Sequence, residues 1–247
     1  MPARPNRPVN TAKRPAGRSG NKAVAAMGRR PRMSGNLMLT LGVLAVALGI
    51  LATAVIYTYT SSADRAADKA AMVMRPDSHR LNTAADGKVT LVEFLDFECE
   101  ACRAAFPGVE KIRKEYDGRI TYVLRYFPIQ SHANANNAAL AAQAAANQGK
   151  LERMYVKMYE MQKQWGEKRE SQAALFESFA TELGLDMAKF KADVASSETQ
   201  KRVDVDQQDG MALGVQGTPP FFLNGEKFEG QPTYEGLKAA IDAALAG

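Results

Sequence analysis

Cysteine and histidine are scarce in this chain of 247 residues, with two of each and a single tryptophan. The two cysteines stand three apart, as Cys99-Glu100-Ala101-Cys102, too close to staple a long loop as the bridges of small secreted scaffolds do. No second cysteine pair and no histidine cluster accompanies them, so the four ligands a structural zinc wants are not supplied by one chain. Acidic residues are missing from one end: residues 1–36 hold nine Lys and Arg and no Asp or Glu. After position 36 there remain 23 basic residues against 27 acidic ones, a net charge of −4. The overall +5 therefore belongs to the tail, and the rest of the chain lacks the basic footprint of a nucleic-acid binder.

Residues 1–36, rich in Pro, Arg, Gly, Ala and Asn and without an apolar period, are expected to form a disordered basic cytoplasmic tail. From Leu37 to Tyr59 there is no charged residue. At about 1.5 Å per residue, a helix of that length crosses a hydrocarbon core of about 30 Å. Basic residues before it and mixed charge after it (Asp64, Arg65, Asp68, Lys69) predict a single-pass membrane anchor at 37–59, N-terminus in the cytoplasm and the remainder outside. A cleaved signal cut near Ala52-Thr53-Ala54 is the alternative, disfavoured because it would leave only a short apolar run behind an unusually long basic segment. Arg29-Arg30 has a poor context for twin-arginine export. Either route places the domain outside. Residues 60–88 read as a partly helical linker, with His79 a solvated member of it.

The domain is expected over 89–247. Val89–Phe97 is β-branched and aromatic and reads as a buried central strand. A helix follows over Cys99–Tyr116, ended by Asp117-Gly118, and then a second strand over Arg119–Pro128. Helical spacing fills about 133–213, where the methionines and aromatics read as core. Phe221–Leu223, a tight turn at Asn224-Gly225 and Lys227–Glu229 form a hairpin signal. An amphipathic helix capped by Thr233 closes the chain. Strand, helix, strand, a block of helices, hairpin and helix make an α/β domain with a helical insertion.

A CxxC occurs in zinc sites as well as redox sites, and its position narrows the choice. Here it follows an apolar strand and opens a helix, where first-turn amides and the helix dipole favour a thiolate by about 0.3–1 kcal/mol, more when partly buried. Cys99 is then the candidate nucleophile and Cys102, one turn further in, the resolving thiol.

The run Phe94–Cys102, Val215-Gln216-Gly217-Thr218-Pro219 and Asn224-Gly225 together resemble the DsbA-like thioredoxin-fold thiol-disulfide oxidoreductases, over about residues 89–246. The resemblance implies a thioredoxin-like fold, a cis peptide at Thr218-Pro219 presenting an unpaired edge to substrate, and a buried acid at Glu93 that accepts a proton from Cys102. A half-exposed strand would instead make Glu93 a surface charge. It further implies exported, thiol-containing or unfolded protein substrates and a membrane quinone-linked partner, DsbB-like or similar to vitamin K epoxide reductase. No cofactor and no metal are called for. His132 matches a position where the family often has histidine, and its expected role is structural.

The sequence departs from strongly oxidising members, which place a histidine between the cysteines. Glu100 lies there instead, with Asp96 and Glu98 just before. A carboxylate about 8 Å away costs a thiolate about 0.5 kcal/mol in water and about 2 at an effective dielectric of 20. The Cys99 pKa is accordingly expected below the free value but not at the family's lowest. Disulfide formation or exchange is the leading activity. An extracytoplasmic reductase, a non-catalytic binding protein of the same fold and a metal-binding module are the alternatives. An isomerase with its own dimerisation domain is disfavoured, since 60–88 is too short to build one.

Overall fold

A computed structural model describes residues 34–247, so all but the last three residues of the expected basic tail, and the twin arginine, lie outside the described residues. The chain divides into two units, Met1–Thr58 and Tyr59–Gly247. Helix α1 (Gly35–Val73) is apolar and long enough to cross a membrane by length and composition, with the segment that qualifies entirely unburied.

Five strands form the sheet of the second unit in the order β1-β3-β2-β4-β5: β1 (His79–Asn82), β2 (Thr90–Leu95), β3 (Thr121–Tyr126), β4 (Phe221–Leu223) and β5 (Glu226–Lys227). The central β2 runs parallel to β3 and antiparallel to β4, and the crossover from β2 to β3 is α2 (Glu100–Glu115). Burial on both faces explains why β2 reads as a nearly continuous apolar run. Leu91 packs on one side with Val109 and Ile112 of α2. Val92 and Phe94 face the other way, toward Phe127, Val215 and Phe222. The turn between β4 and β5 has left-handed backbone at Asn224 (φ 51) and Gly225 (φ 86), the two-residue hairpin that Asn-Gly favours.

The helical insertion comprises α3 (Ala135–Ala146), α4 (Leu151–Trp165), α5 (Ala173–Glu182), α6 (Met187–Val194) and α7 (Ser197–Ala212), and α8 (Tyr234–Ala246) closes the chain. Thr233 caps α8 as expected, its side chain accepting from the Gly236 amide. The alanines of α3 permit close packing, and Ala138, Ala142, Ala144 and Ala145 are wholly buried in a core shared with Tyr155, Met158 and Trp165 of α4. Gly210 lets α7 approach the sheet. A Cβ there would sit 2.6 Å from the Phe127 ring and 3.1 Å from Phe94. Gly210→Ala, although better for an isolated helix, is therefore expected to lower stability by about 1–3 kcal/mol in denaturant unfolding.

The stretch 60–88 differs from the expected linker. Helix α1 continues to Val73, which is buried with Phe94 and Phe127, and His79–Asn82 forms the edge strand β1, antiparallel to β3. Four residues with only one partner strand are too short to show an alternating pattern. His79 is not solvated either. Its Nε2 lies 2.7 Å from Gln143 Oε1 and its ring stands edge-on to Tyr126 at 5.5 Å. Burial lowers its pKa.

Candidate active site

Beyond the end of β2, the segment Asp96-Phe97-Glu98 turns the chain so that Cys99 becomes the N-cap residue of α2, with extended backbone (φ −66, ψ 123) and no side-chain cap bond. Cys102 follows in the first turn. Both thiols are free and both are buried, Cys99 at 9% exposure and Cys102 at 1%. The nucleophile candidate is thus less open than a bare helix tip would leave it. The cover comes from the loop before β4: the Cys99 thiol donates to the Thr218 carbonyl at 3.4 Å, and Thr218-Pro219 is a cis peptide. Two grooves reach the site and share Ala101. One, of ≈ 450 Å³, is lined by Cys99, Glu100, His132 and Lys168. The other, of ≈ 530 Å³, runs along Val215–Pro220 and Phe228.

The two sulfurs are pushed in opposite directions. The Cys102 thiol donates to the Cys99 sulfur and, against the cost of burial, brings the Cys99 pKa down to about 5, helped by the Thr218 side chain and the Ala101 and Cys102 amides. Burial drives the Cys102 pKa well up, and its hydrogen bond to Cys99 and the nearby Glu93 charge add to that. The Thr218 hydroxyl is buried with no full hydrogen-bond partner among the described residues, and it favours the thiolate form of both cysteines. One thiolate and one thiol at neutral pH is the state a dithiol needs to attack a disulfide and then resolve the product.

Glu93 is 2% exposed, in a strand buried on both faces. Burial raises its pKa to about 8, although the Tyr122 hydroxyl bonded to its carboxyl opposes the rise. Its ionisation is coupled to both cysteines.

Sequence reasoning treated Asp96 and Glu98 only as charges that would disfavour the thiolate. Both carboxyls are buried and occupied. Asp96 accepts from the amides of Glu98 (2.8 Å) and Ile129 (2.9 Å) and meets His132 Nδ1 at 2.7 Å. Burial raises its pKa against those bonds. Glu98 accepts from the amides of Asn134 (2.7 Å) and Glu167 (3.0 Å). Asn134, wholly buried, in turn holds the Lys168 carbonyl at 2.8 Å and the Gln172 amide at 2.8 Å. These two acids fasten the cysteine turn to the start of the insertion and to a loop strained at Glu167 (φ 61). His132 takes part as an Asp96 partner at the rim of the groove. The available signal was the pairing of two acids with a CxxC inside an apolar run, where a buried charge has to find partners.

A family model described as Thioredoxin matches residues 82–243, well over half of the chain. The chain belongs to the thioredoxin family. This thioredoxin-family protein also superposes on a thioredoxin-like oxidoreductase from Silicibacter pomeroyi DSS-3, with a TM-score of 0.61 and 27% identity over 72% of this chain and 98% of that one. Its fold is that of the α-DsbA1 protein of Wolbachia pipientis, with a TM-score of 0.64 and 18% identity, covering 72% of this chain and 96% of that one. Among curated proteins it is similar to the Na(+)/H(+) antiporter NhaA of Herminiimonas arsenicoxydans, 30% identical over 176 residues, which are 70% of this chain and 26% of that protein. The chain thus spans about a quarter of the length of the curated relatives it matches. The thioredoxin-family fold brings Cys99, Cys102, Glu93, Thr218 and Pro219 to one end of β2, from positions as far apart as 93 and 219.

Proposed function

We propose that this protein is a membrane-anchored thiol-disulfide oxidoreductase acting on exported proteins through Cys99 and Cys102. The observation that carries the reading is the pairing of a Cys99 thiol held near pKa 5 with a buried Cys102 thiol held high, beside a cis peptide at Thr218-Pro219. In the oxidising direction a substrate thiolate attacks Cys99 of the enzyme disulfide. The S–S bond breaks, and Cys102 leaves with the electron pair and takes a proton from Glu93, which is protonated at neutral pH. A second substrate thiolate then attacks the substrate sulfur of the mixed disulfide and releases Cys99 as a thiolate. The substrate loses two electrons to the cysteine pair and its protons to solvent and Glu93. Thr218 and Pro219 present the edge along which an extended substrate segment lies, in the groove of Val215–Pro220.

A thiolate that is stable well below neutral pH stabilises the reduced enzyme, so its disulfide is readily given up. That favours oxidation of substrates over an extracytoplasmic reductase role. No cluster of three or more metal-ligating side chains exists among the described residues, which tells against the zinc reading. The reading assigns 37–59 to the bilayer, the tail to the cytoplasm and 89–247 to the far side, with a quinone-linked membrane enzyme, DsbB-like or similar to vitamin K epoxide reductase, as re-oxidant. The test is to equilibrate the full-length protein with glutathione buffers and to compare oxidation of reduced ribonuclease with reduction of insulin. An oxidant gives faster ribonuclease oxidation and a potential above the glutathione couple. Faster insulin reduction with a potential below that couple would assign the reductase role instead.

A further inference from the structure

Glu93 and Tyr122 meet because β2 and β3 are parallel with Leu91 opposite Tyr122. Residues 91, 93 and 122 therefore project from the same face, and the tyrosine reaches diagonally to the acid. Tyr122 is wholly buried and its hydroxyl donates to Glu93 Oε2. Among the described residues it is the one side-chain hydrogen bond on the carboxyl, whose sheet neighbours Leu124 and Phe221 are apolar. A phenylalanine would fill the same space, so what the tyrosine adds is a donor aimed at a buried acid.

We propose that Tyr122 is a positioning residue of the redox reaction, whose hydroxyl on the Glu93 carboxyl governs how readily Glu93 exchanges a proton with Cys102. The inference rests on the oxidoreductase reading above and deepens it. A buried carboxylate without a donor is costly, so removing the hydroxyl keeps Glu93 protonated to higher pH. The ionisable groups coupled to Glu93 are Cys99, Cys102 and Glu110 from α2, Tyr122 from β3, and Tyr155 and Tyr159 from α4. Glu110 repels its charge and burial disfavours it, while Tyr122 alone acts to sustain it. When Cys102 attacks a mixed disulfide at Cys99, its S–H proton goes to the Glu93 carboxylate, the Cys99–Cys102 bond forms, and the partner sulfur leaves as a thiolate. The step therefore needs the ionised acid that Tyr122 sustains.

The test uses reduced full-length protein in detergent micelles and glutathione disulfide, with rapid quenching to separate formation of the Cys99 mixed disulfide from its resolution by Cys102. In the wild type, resolution rises with pH through an inflection near 8, the Glu93 value. Tyr122→Phe is expected to leave the first step unchanged, to move that inflection up by about one pH unit and to slow resolution at neutral pH about tenfold. Glu93→Gln removes the inflection, and adding Tyr122→Phe to it changes nothing more. Carbon NMR of the Glu93 carboxyl should show the same upward shift independently of rate. An unchanged profile in Tyr122→Phe, or a further tenfold loss in the double variant, overturns the role of Tyr122 alone. Failure of the wild type to form any Cys99 mixed disulfide would overturn the oxidoreductase reading, and the positioning role with it.

Discussion

Cys99→Ser is expected to abolish disulfide exchange, lowering turnover of reduced ribonuclease by at least about a thousandfold, because a serine hydroxyl is un-ionised at neutral pH and forms no disulfide. Cys102→Ser should behave differently, still forming mixed disulfides at Cys99 but failing to resolve them, so that substrate accumulates covalently attached. The asymmetry follows from burial, Cys102 being 1% exposed while Cys99, at 9%, is the sulfur that lines a groove. It extends to pH. A thiol whose folded value is depressed contributes stability that is fully present above its unfolded value, near 9, and is lost as pH falls through about 5. Only the reduced form has this thiolate. As pH rises from about 5 to about 9 the reduced protein should therefore gain stability relative to the oxidised protein, and below pH 5 the difference between the two forms should stop changing with pH. Thermal unfolding of both forms across that range checks it. A gap that stays constant with pH would contradict the thiolate assignment.

Arg125→Met is expected to cost about 3–5 kcal/mol, the largest single loss of stability in the domain outside its apolar core. Arg125 is wholly buried in β3, with Nε 2.5 Å from Asp206 and Nη2 2.5 Å from Asp209, while Nη1 donates to the last carbonyls of α1, Met72 at 2.7 Å and Val73 at 3.0 Å. Asp206 also accepts from the Tyr126 amide and from Arg202, and Asp209 holds Arg75 through both oxygens. Burial alone would raise the Asp209 pKa, but Arg75 and Arg125 more than reverse it. Removing Arg125 takes one of two arginine partners from the fully buried Asp206 and from Asp209, and it deprives the Met72 and Val73 carbonyls of their donor. For a chain of this size the loss corresponds to a fall in Tm of roughly 10 °C. Residues 72–75 should also exchange their amide hydrogens faster. The exposed pair Lys69–Glu226 provides the contrast, and Lys69→Ala should change stability by no more than about 0.5 kcal/mol. If Arg125→Met were as mild, the buried network would carry no stability.

These two expectations differ in how far they were legible beforehand. Cys99 and Cys102 announce themselves, because a CxxC between an apolar strand and a helix has few other uses, and the Gly-Thr-Pro run before a hairpin completed the pattern. The main strands, α2, the helical block and the closing helix follow from period and turn chemistry, with the ends of β2, α2 and β3 shifted by one or two residues. Arg125 gave no such signal. An arginine inside the strand pattern of Arg119–Pro128 looks like its solvent side, and the partners Asp206 and Asp209 sit in a polar helix some eighty residues later. Pairing at that distance has no local signature. Asp96 and Glu98 were visible but misjudged as free charges, since nothing near them in sequence showed the Ile129, His132, Asn134 and Glu167 groups that occupy them. Strand β1 and His79 were missed for a related reason, as an edge strand of four residues gains its meaning only from β3.

The most direct measurement is the titration of Cys99 in the reduced full-length protein, followed by thiolate ultraviolet absorbance and checked by the pH dependence of alkylation. The expected result is an inflection near 5 that disappears in Cys99→Ser. An inflection at or above the free-thiol value of about 8.5 would contradict an activated nucleophile at the start of α2.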